Sequence, residues 1–261
     1  AEYGIRDVAV TGVQTCALPI CVVFERGQEA LGVMARLDRD LAELAGLQQG
    51  ELVIGLPPMV NVFFPGLLRT FAQGHPALKL KLIEAGGQVI ESRVLQGELE
   101  VGVSLLPLAA DRGLAHAVVA RHPICLVGRG EPRWARAARP ELRHLAGEAV
   151  LMPPQDYALN HVLEQAFARA GVQPDVVTRS SQWDFLLNLA LSGLGTALLP
   201  EPLVASLKLP AGTQVRALPA SAPAWEVALV WHPHRSLSHA ARAWLSHCGV
   251  DVALPPSGPA V

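Results

Sequence analysis

The run Ser180-Ser181-Gln182-Trp183-Asp184 is the most chemically suggestive stretch of the chain. Its S-x-x-D spacing fits a capping-box variant, in which the Ser181 hydroxyl accepts from first-turn N–H groups of the following helix. Ser181 then serves either as a cap alone or as a cap that also meets a ligand. Ser180, not needed as the cap, is an equal candidate to face a ligand. Nine histidines, with His232, His234 and His239 close together, invite a metal reading. Zinc sites, however, draw their ligands from spacings such as HExxH or paired Cys and His, and the chain has neither. His232 and His234 flank Pro233 at the end of a predicted strand, where a loop accounts for them, so no metal is expected. Motifs for nucleophiles and phosphates are missing too: there is no GxSxG, no P-loop and no GxGxxG between a strand and a helix. Gly193-Leu194-Gly195 supplies only a G-x-G, and Gly193 reads equally well as a helix C-cap. The sequence therefore predicts neither an enzyme nor a cofactor. Cys16, Cys21, Cys125 and Cys248 form no CxxC pair, which suits free thiols in a reducing compartment and a cytoplasmic location.

Such side chains act only where the backbone gathers them. Hydrophobic residues make up 51% and charged residues 17% of the 261, an apolar balance that fits an α/β fold with buried strands. No apolar run reaches the roughly 18 residues of a spanning helix. The net charge of -2 gives no basic footprint for neutralising phosphates, so the chain alone is not expected to read DNA.

Between Gln28 and Leu47, Ala30, Met34, Leu37, Leu41 and Leu44 line one stripe of a helix of about 30 Å, long enough to imply a helical partner. After Gly50 the pattern becomes βαβαβ. ELVIGL, LKLKLIE and LEVGVSLL read as strands, Pro65 to Gln73 as a helix stopped by Gly74 and Pro76, and Val89 to Gln96 as a helix ended by Gly97. The same grammar repeats with strands ICLVG, AVLM, DVVTR and TALLP and helices Ala158 to Ala170 and Gln182 to Leu191. Residues around Val215 to Leu218, the strand WEVALVW and a helix from Ala240 to His247 follow, and the last elements are placed to complete the first lobe. Strands joined by single helices need right-handed crossovers and build mostly parallel sheets.

Two signatures in this order resemble the LysR-type transcriptional regulators. GELVIGLPPMVNVFFPGLLRTFAQGHP leading to GELEVGV is similar to the family's "G-x-L-x-I-G", "L-P-x-L-L-x-x-F-x-x-x-H-P" and "G-E-L-D" elements, and SSQWDFLLNLALSGLGTALLP to its "S-S-x-x-x-x-x-x-L-V-x-x-G-L-G-x-A-L-L-P". The resemblance covers residues 25 to 248. It implies an α/β, two-lobed, type II periplasmic-binding-protein-like effector domain, each lobe a mostly parallel sheet flanked by helices, behind a linker helix.

The expected division is a linker and dimerisation helix at 25–48, lobe I at 50–121 with 216–250, lobe II at 122–215 and a flexible tail at 251–261. Residues 1–24 fall outside the family pattern, and 1–20 resemble translated adapter read-through. The winged helix-turn-helix that precedes the linker helix in this family is missing, so the chain reads as a fragment.

Ligands in such folds bind where strand carboxyl ends and helix N-termini converge. By resemblance the lining is Pro58, Met59, Val60 and Asn61 after the first strand, Gly86 and Gly87 after the second and Ser104 after the third, with Tyr157, Asn160, Ser180, Ser181 and Gln182 from the second lobe. Two residues depart from the family: Glu100 stands where an Asp is usual, and the first cleft loop lacks the common Ser or Thr. A small organic acid is the expected effector, held by helix-terminal N–H groups with Asn61, Ser180 and Ser181. DNA would be contacted only through the absent domain, and a homodimer or homotetramer is implied. A transport-type solute-binding protein and a bilobal enzyme share the architecture; the long helix before the first strand argues against the former, and the lack of convergent acid and base residues against the latter.

Overall fold

Short β-branched and leucine-rich runs bounded by Gly and Pro become buried strands, and the stretches between them with one apolar stripe become the helices that cover those strands. The computed structural model describes residues 20, 22, 23, 26, 27, 30–34, 50–60, 62–108 and 113–252. Of the expected linker helix, residues 26, 27 and 30–34 are helical; its remainder, Asn61 and nearly all of the terminal segments lie outside the described residues.

The first lobe begins with β1 (Glu51–Leu56), α1 (Phe64–Gly74), β2 (Lys79–Glu84), α2 (Gly87–Gln96) and β3 (Val101–Leu105). The chain continues through β4 (Ala115–Arg129), β5 (Ala149–Met152), α3 (Ala158–Arg169), β6 (Asp175–Arg179), α4 (Trp183–Ser192), β7 (Thr196–Pro200) and α5 (Glu201–Ala205). It closes with β8 (Thr213–Ala217), β9 (Ala224–Trp231) and α6 (His239–His247). The strand order is β2-β1-β3-β9-β4-β7-β5-β6, with β8 also beside β4.

The expected parallel pairings join β1 to β2 and β3, and β5 to β6 and β7. β9 is antiparallel to β3, while β4 is antiparallel to β7, β8 and β9. β4 serves both lobes: its first half, from Ala115 to Pro123, pairs with β9, and its second, from Ile124, with β7 and β8. That first half, AHAVVARHP, escapes sequence reading because two histidines, an arginine and a proline break the apolar pattern. The chain crosses between the lobes along β4 and returns between β8 and β9. The partners change between Pro123 and Ile124, and a register shift between Val118 and Ala120 lies within the half that pairs with β9.

Local chemistry fixes the joints. Pro65 opens α1, and Gly97 and Gly193 end α2 and α4 in the left-handed conformation, with φ of 79° and 89°. The core is built around Trp134, Trp225, Trp244, Phe64 and Phe71, all essentially inaccessible. The Trp134 indole N–H donates to Thr196 Oγ1 at 2.8 Å, so its polar edge is satisfied. Glu100, the residue that departs from the family pattern, accepts from both the amide and the hydroxyl of Ser238 at 2.8 Å. Ser238 Oγ in turn caps α6 by accepting from the Ala241 amide at 3.1 Å. The C-terminal helix is thereby tied to the start of β3.

Candidate functional site

Three chain segments from lobe I meet α3 from lobe II around a cavity of about 600 Å³. The turn after β1 contributes Pro57, Pro58 and Met59, the start of α2 contributes Gly86, Gly87 and Glu91, and the end of β3 contributes Ser104 and Leu105. From lobe II come Asp156, Tyr157 and His161. This is the junction expected of the fold, with strand ends and helix starts facing one space. Gly86 and Tyr157 occupy the N-cap positions of α2 and α3, and neither supplies a side-chain cap bond. First-turn amides and the positive ends of the two helices border the cavity.

Two buried polar groups stand in its wall. Ser104, 1% exposed, donates its hydroxyl to Glu91 Oε1 at 2.6 Å, and Glu91 is 2% exposed. That length is typical of a hydroxyl on a carboxylate. Gly87 makes their approach possible, since a Cβ there would lie 2.9 Å from Ser104 Oγ. Met59, Val89, Leu105, Pro107 and Leu108 give the remaining described wall an apolar character.

Of the residues expected at the site, Pro58, Met59, Gly86, Gly87, Ser104 and Tyr157 line the cavity. Five do not. Val60 is wholly buried beneath the turn, where its side chain joins the core. Asn160 is also wholly buried, and its carbonyl oxygen accepts from the Arg179 guanidinium. Arg179 further donates to the Pro153 carbonyl and to Glu164, both at 3.0 Å, so this cluster ties β6 to α3 instead of facing a ligand. The expected cap on α4 is also absent: Gln182 holds the N-cap position with no side-chain cap bond, and Ser180 Oγ accepts from the Gln182 amide at 3.1 Å in a local turn. Ser181 and Gln182 are exposed outside the lining. Asn61 lies outside the described residues.

Glu91 and His161 were not foreseen. They occur one turn into helices whose starts were recognised, and an i, i+4 projection from Gly87 and Tyr157 would have placed both toward the same cleft. A second groove, of about 650 Å³, runs over lobe II between Glu141, Arg143, Arg169 and Pro219. Among the described residues, no buried polar side chain lines it. His232 Nδ1 accepts from the His234 amide at 3.2 Å, and His247 Nε2 lies 2.9 Å from the Thr70 hydroxyl of α1. No helix among the described residues is long and apolar enough to cross a membrane.

The family model for the LysR substrate binding domain matches residues 45–250. An HTH-type transcriptional regulator of Bacillus subtilis, YwbI, is 32% identical over 79% of this chain and 68% of its own length. Relatives of this kind are matched over 52% to 69% of their length. Among solved structures, the cofactor-binding domain of the Cbl transcriptional regulator aligns with a TM-score of 0.69 and 20% identity, over 77% of this chain and 88% of that one. The BenM effector-binding domain with its effector benzoate aligns with a TM-score of 0.66 and 17% identity, over 77% and 91%. These relatives are regulators, not enzymes, and the fold is the two-lobed one of their effector domains. The chain belongs to the LysR substrate-binding domain family.

Proposed function

We propose that this chain is the sensing module of a LysR-type transcriptional regulator, in which a small organic acid binds between the lobes and changes how the whole protein acts on DNA. The observation that carries this reading is the cavity onto which two helix starts without side-chain caps open. Backbone N–H groups so placed hold a carboxylate without needing a basic side chain. The benzoate of the BenM domain gives the precedent on the same fold. Pro58, Met59, Gly86, Gly87, Ser104 and Tyr157 are the proposed contacts. Binding regulates only insofar as the acid prefers one degree of lobe closure, and the two crossings, along β4 and between β8 and β9, are the segments that must bend.

The remaining parts of the reading rest on the family. The lobes correspond to residues 50–121 with 216–250 and to 122–215, the module self-associates as a homodimer or homotetramer, DNA contact belongs to a helix-turn-helix domain outside these elements, and the protein works in the cytoplasm.

The test is a thermal-shift screen of small carboxylates, followed by titration of the best hit into the parent chain and Gly87→Val. The valine fills the space beside Ser104 and should abolish binding while the chain stays folded. Failure of every carboxylate to stabilise the parent, or undiminished binding by the variant, overturns the proposal.

A further inference from the structure

Resting on the small-acid reading, we infer that the effector is a 2-hydroxy acid, whose carboxylate meets the first turn of α2 and whose hydroxyl donates to Ser104 Oγ. Ser104 is 1% exposed and lines the cavity, and its own proton is committed to Glu91 Oε1 at 2.6 Å. A serine hydroxyl has one proton and two acceptor positions. Toward a ligand Ser104 is therefore an acceptor, and the ligand that matches it brings a donor.

The place of Ser104 in the fold sets where that donor must be. Gly87 opens α2, and the N–H groups of a helix's first turn have no acceptor within the helix and favour a carboxylate. A Cβ built on Gly87 would lie 2.9 Å from Ser104 Oγ and 4.0 Å from Glu91 Oε1. The serine oxygen thus stands beside the residue that begins the anion-holding turn, and the glutamate lies farther off. A donor on the carbon next to the carboxylate reaches that oxygen, whereas one farther along a hydrocarbon chain is carried away from it. A hydroxyl brings no charge, so it is accommodated whatever else Glu91 binds. Met59, Leu105 and Leu108 offer an apolar wall to the hydrocarbon part of the acid.

The experiment is isothermal titration of the purified chain with two series on matched skeletons, chiral compounds as both enantiomers. The first is 2-hydroxy-4-methylpentanoate, 4-methylpentanoate, 4-methyl-2-oxopentanoate, leucine and 4-methylpentane-1,2-diol. The second is 3-phenyllactate, 3-phenylpropanoate, 2-methoxy-3-phenylpropanoate, phenylalanine and 3-phenylpropane-1,2-diol. The oxo and methoxy acids keep an oxygen in place but cannot donate from it. In at least one series the hydroxy acid should bind at least tenfold more tightly than every analogue. Ser104→Ala should bring that hydroxy acid and its des-hydroxy partner to within about threefold of each other. If the variant fails to fold, Gly87→Ala, whose methyl group enters the space beside Ser104 Oγ, should narrow the preference in the same way.

A des-hydroxy, oxo, methoxy or amino acid within tenfold of the hydroxy acid in both series, or a preference that survives a folded Ser104→Ala, overturns the hydroxyl assignment and leaves the acid reading standing. Diols that bind as tightly as the hydroxy acids overturn the acid reading as well. Silence from both series, while other carboxylates stabilise the chain, overturns the 2-hydroxy-acid assignment alone.

Discussion

Gly102→Ala should loosen the cleft from behind. Gly102 lies in β3 directly under α2, and a Cβ built there would sit 2.3 Å from Ile90 Cγ2, 3.4 Å from Val94 Cγ2 and 3.5 Å from Val230 Cγ2. Carbon atoms pack best at about 3.5 to 4.0 Å, so Ile90 must retreat by roughly 1.2 Å or more. Ile90 is β-branched and wholly buried, so its χ1 has little freedom to move the methyl group aside. α2 must therefore lift from the sheet, at a cost of about 1 to 3 kcal/mol typical of overpacking. For a domain of this size that corresponds to a fall in melting temperature of about 2 to 12 °C. Because α2 also carries Gly87 and Glu91, effector affinity should fall with stability. Gly66→Ala supplies the control. Gly66 lies in α1 with nothing within 4 Å of a built Cβ, and alanine there should be neutral or stabilise by up to about 1 kcal/mol. Urea melts of the three proteins, with effector titrations, check both effects. A Gly102→Ala protein within about 0.5 kcal/mol of the parent would refute the packing argument.

Glu100→Ala strips Ser238 of two hydrogen bonds and should destabilise the chain by about 1 to 3 kcal/mol in urea melts, whereas Glu98→Ala, losing a half-exposed 3.7 Å ion pair to Arg93, should cost under about 0.5 kcal/mol. Asn160→Ala should lower stability by about 1 to 3 kcal/mol through the lost Arg179 contact while leaving effector affinity unchanged, as melts and titration together would show. Burial, with the charge of Glu201 as a lesser cause, pushes the Cys125 thiol from 9.0 up to about 11, and burial alone pushes Cys248 up to about 12. Since the thiolate is the reactive form, iodoacetamide at pH 8 should label both positions far more slowly in the native chain than in urea, as peptide mass spectrometry would record. Thiols held neutral by the fold favour it fully below pH 9, and that contribution should fade as pH rises from 9 toward 11 to 12, visible as a falling urea midpoint.

Strand and helix positions were legible because burial imposes period and punctuation: ELVIGL, AVLM, DVVTR and TALLP occupy the strands predicted for them. The first half of β4 was not, because a strand crossing between lobes meets solvent and core by turns and has no single face to pattern. At the site, Gly86, Gly87 and Tyr157 came from the family resemblance and not from a local rule, and all three border the cavity. Ser181 misled because S-x-x-D states a local preference, and the turn at Ser180–Gln182 satisfied that backbone differently. Asn160 shows the same limit, since its partner Arg179 is distant in sequence and its burial depends on β6 packing against α3. Glu91 went unnoticed because one carboxyl on an amphipathic helix reads as a solvated face until Ser104 is brought against it.

Hydrogen-exchange mass spectrometry, with and without the carboxylate that raises the melting temperature most, would locate the site. Protection is expected at residues 57–59, 86–91, 104–108 and 156–161, together with slower exchange in β4 near Ile124 as the lobes close. Protection confined to the groove formed by residues 141–143, 165–170 and 219–223, or no protected segment at all, would contradict the placement of the effector between the lobes.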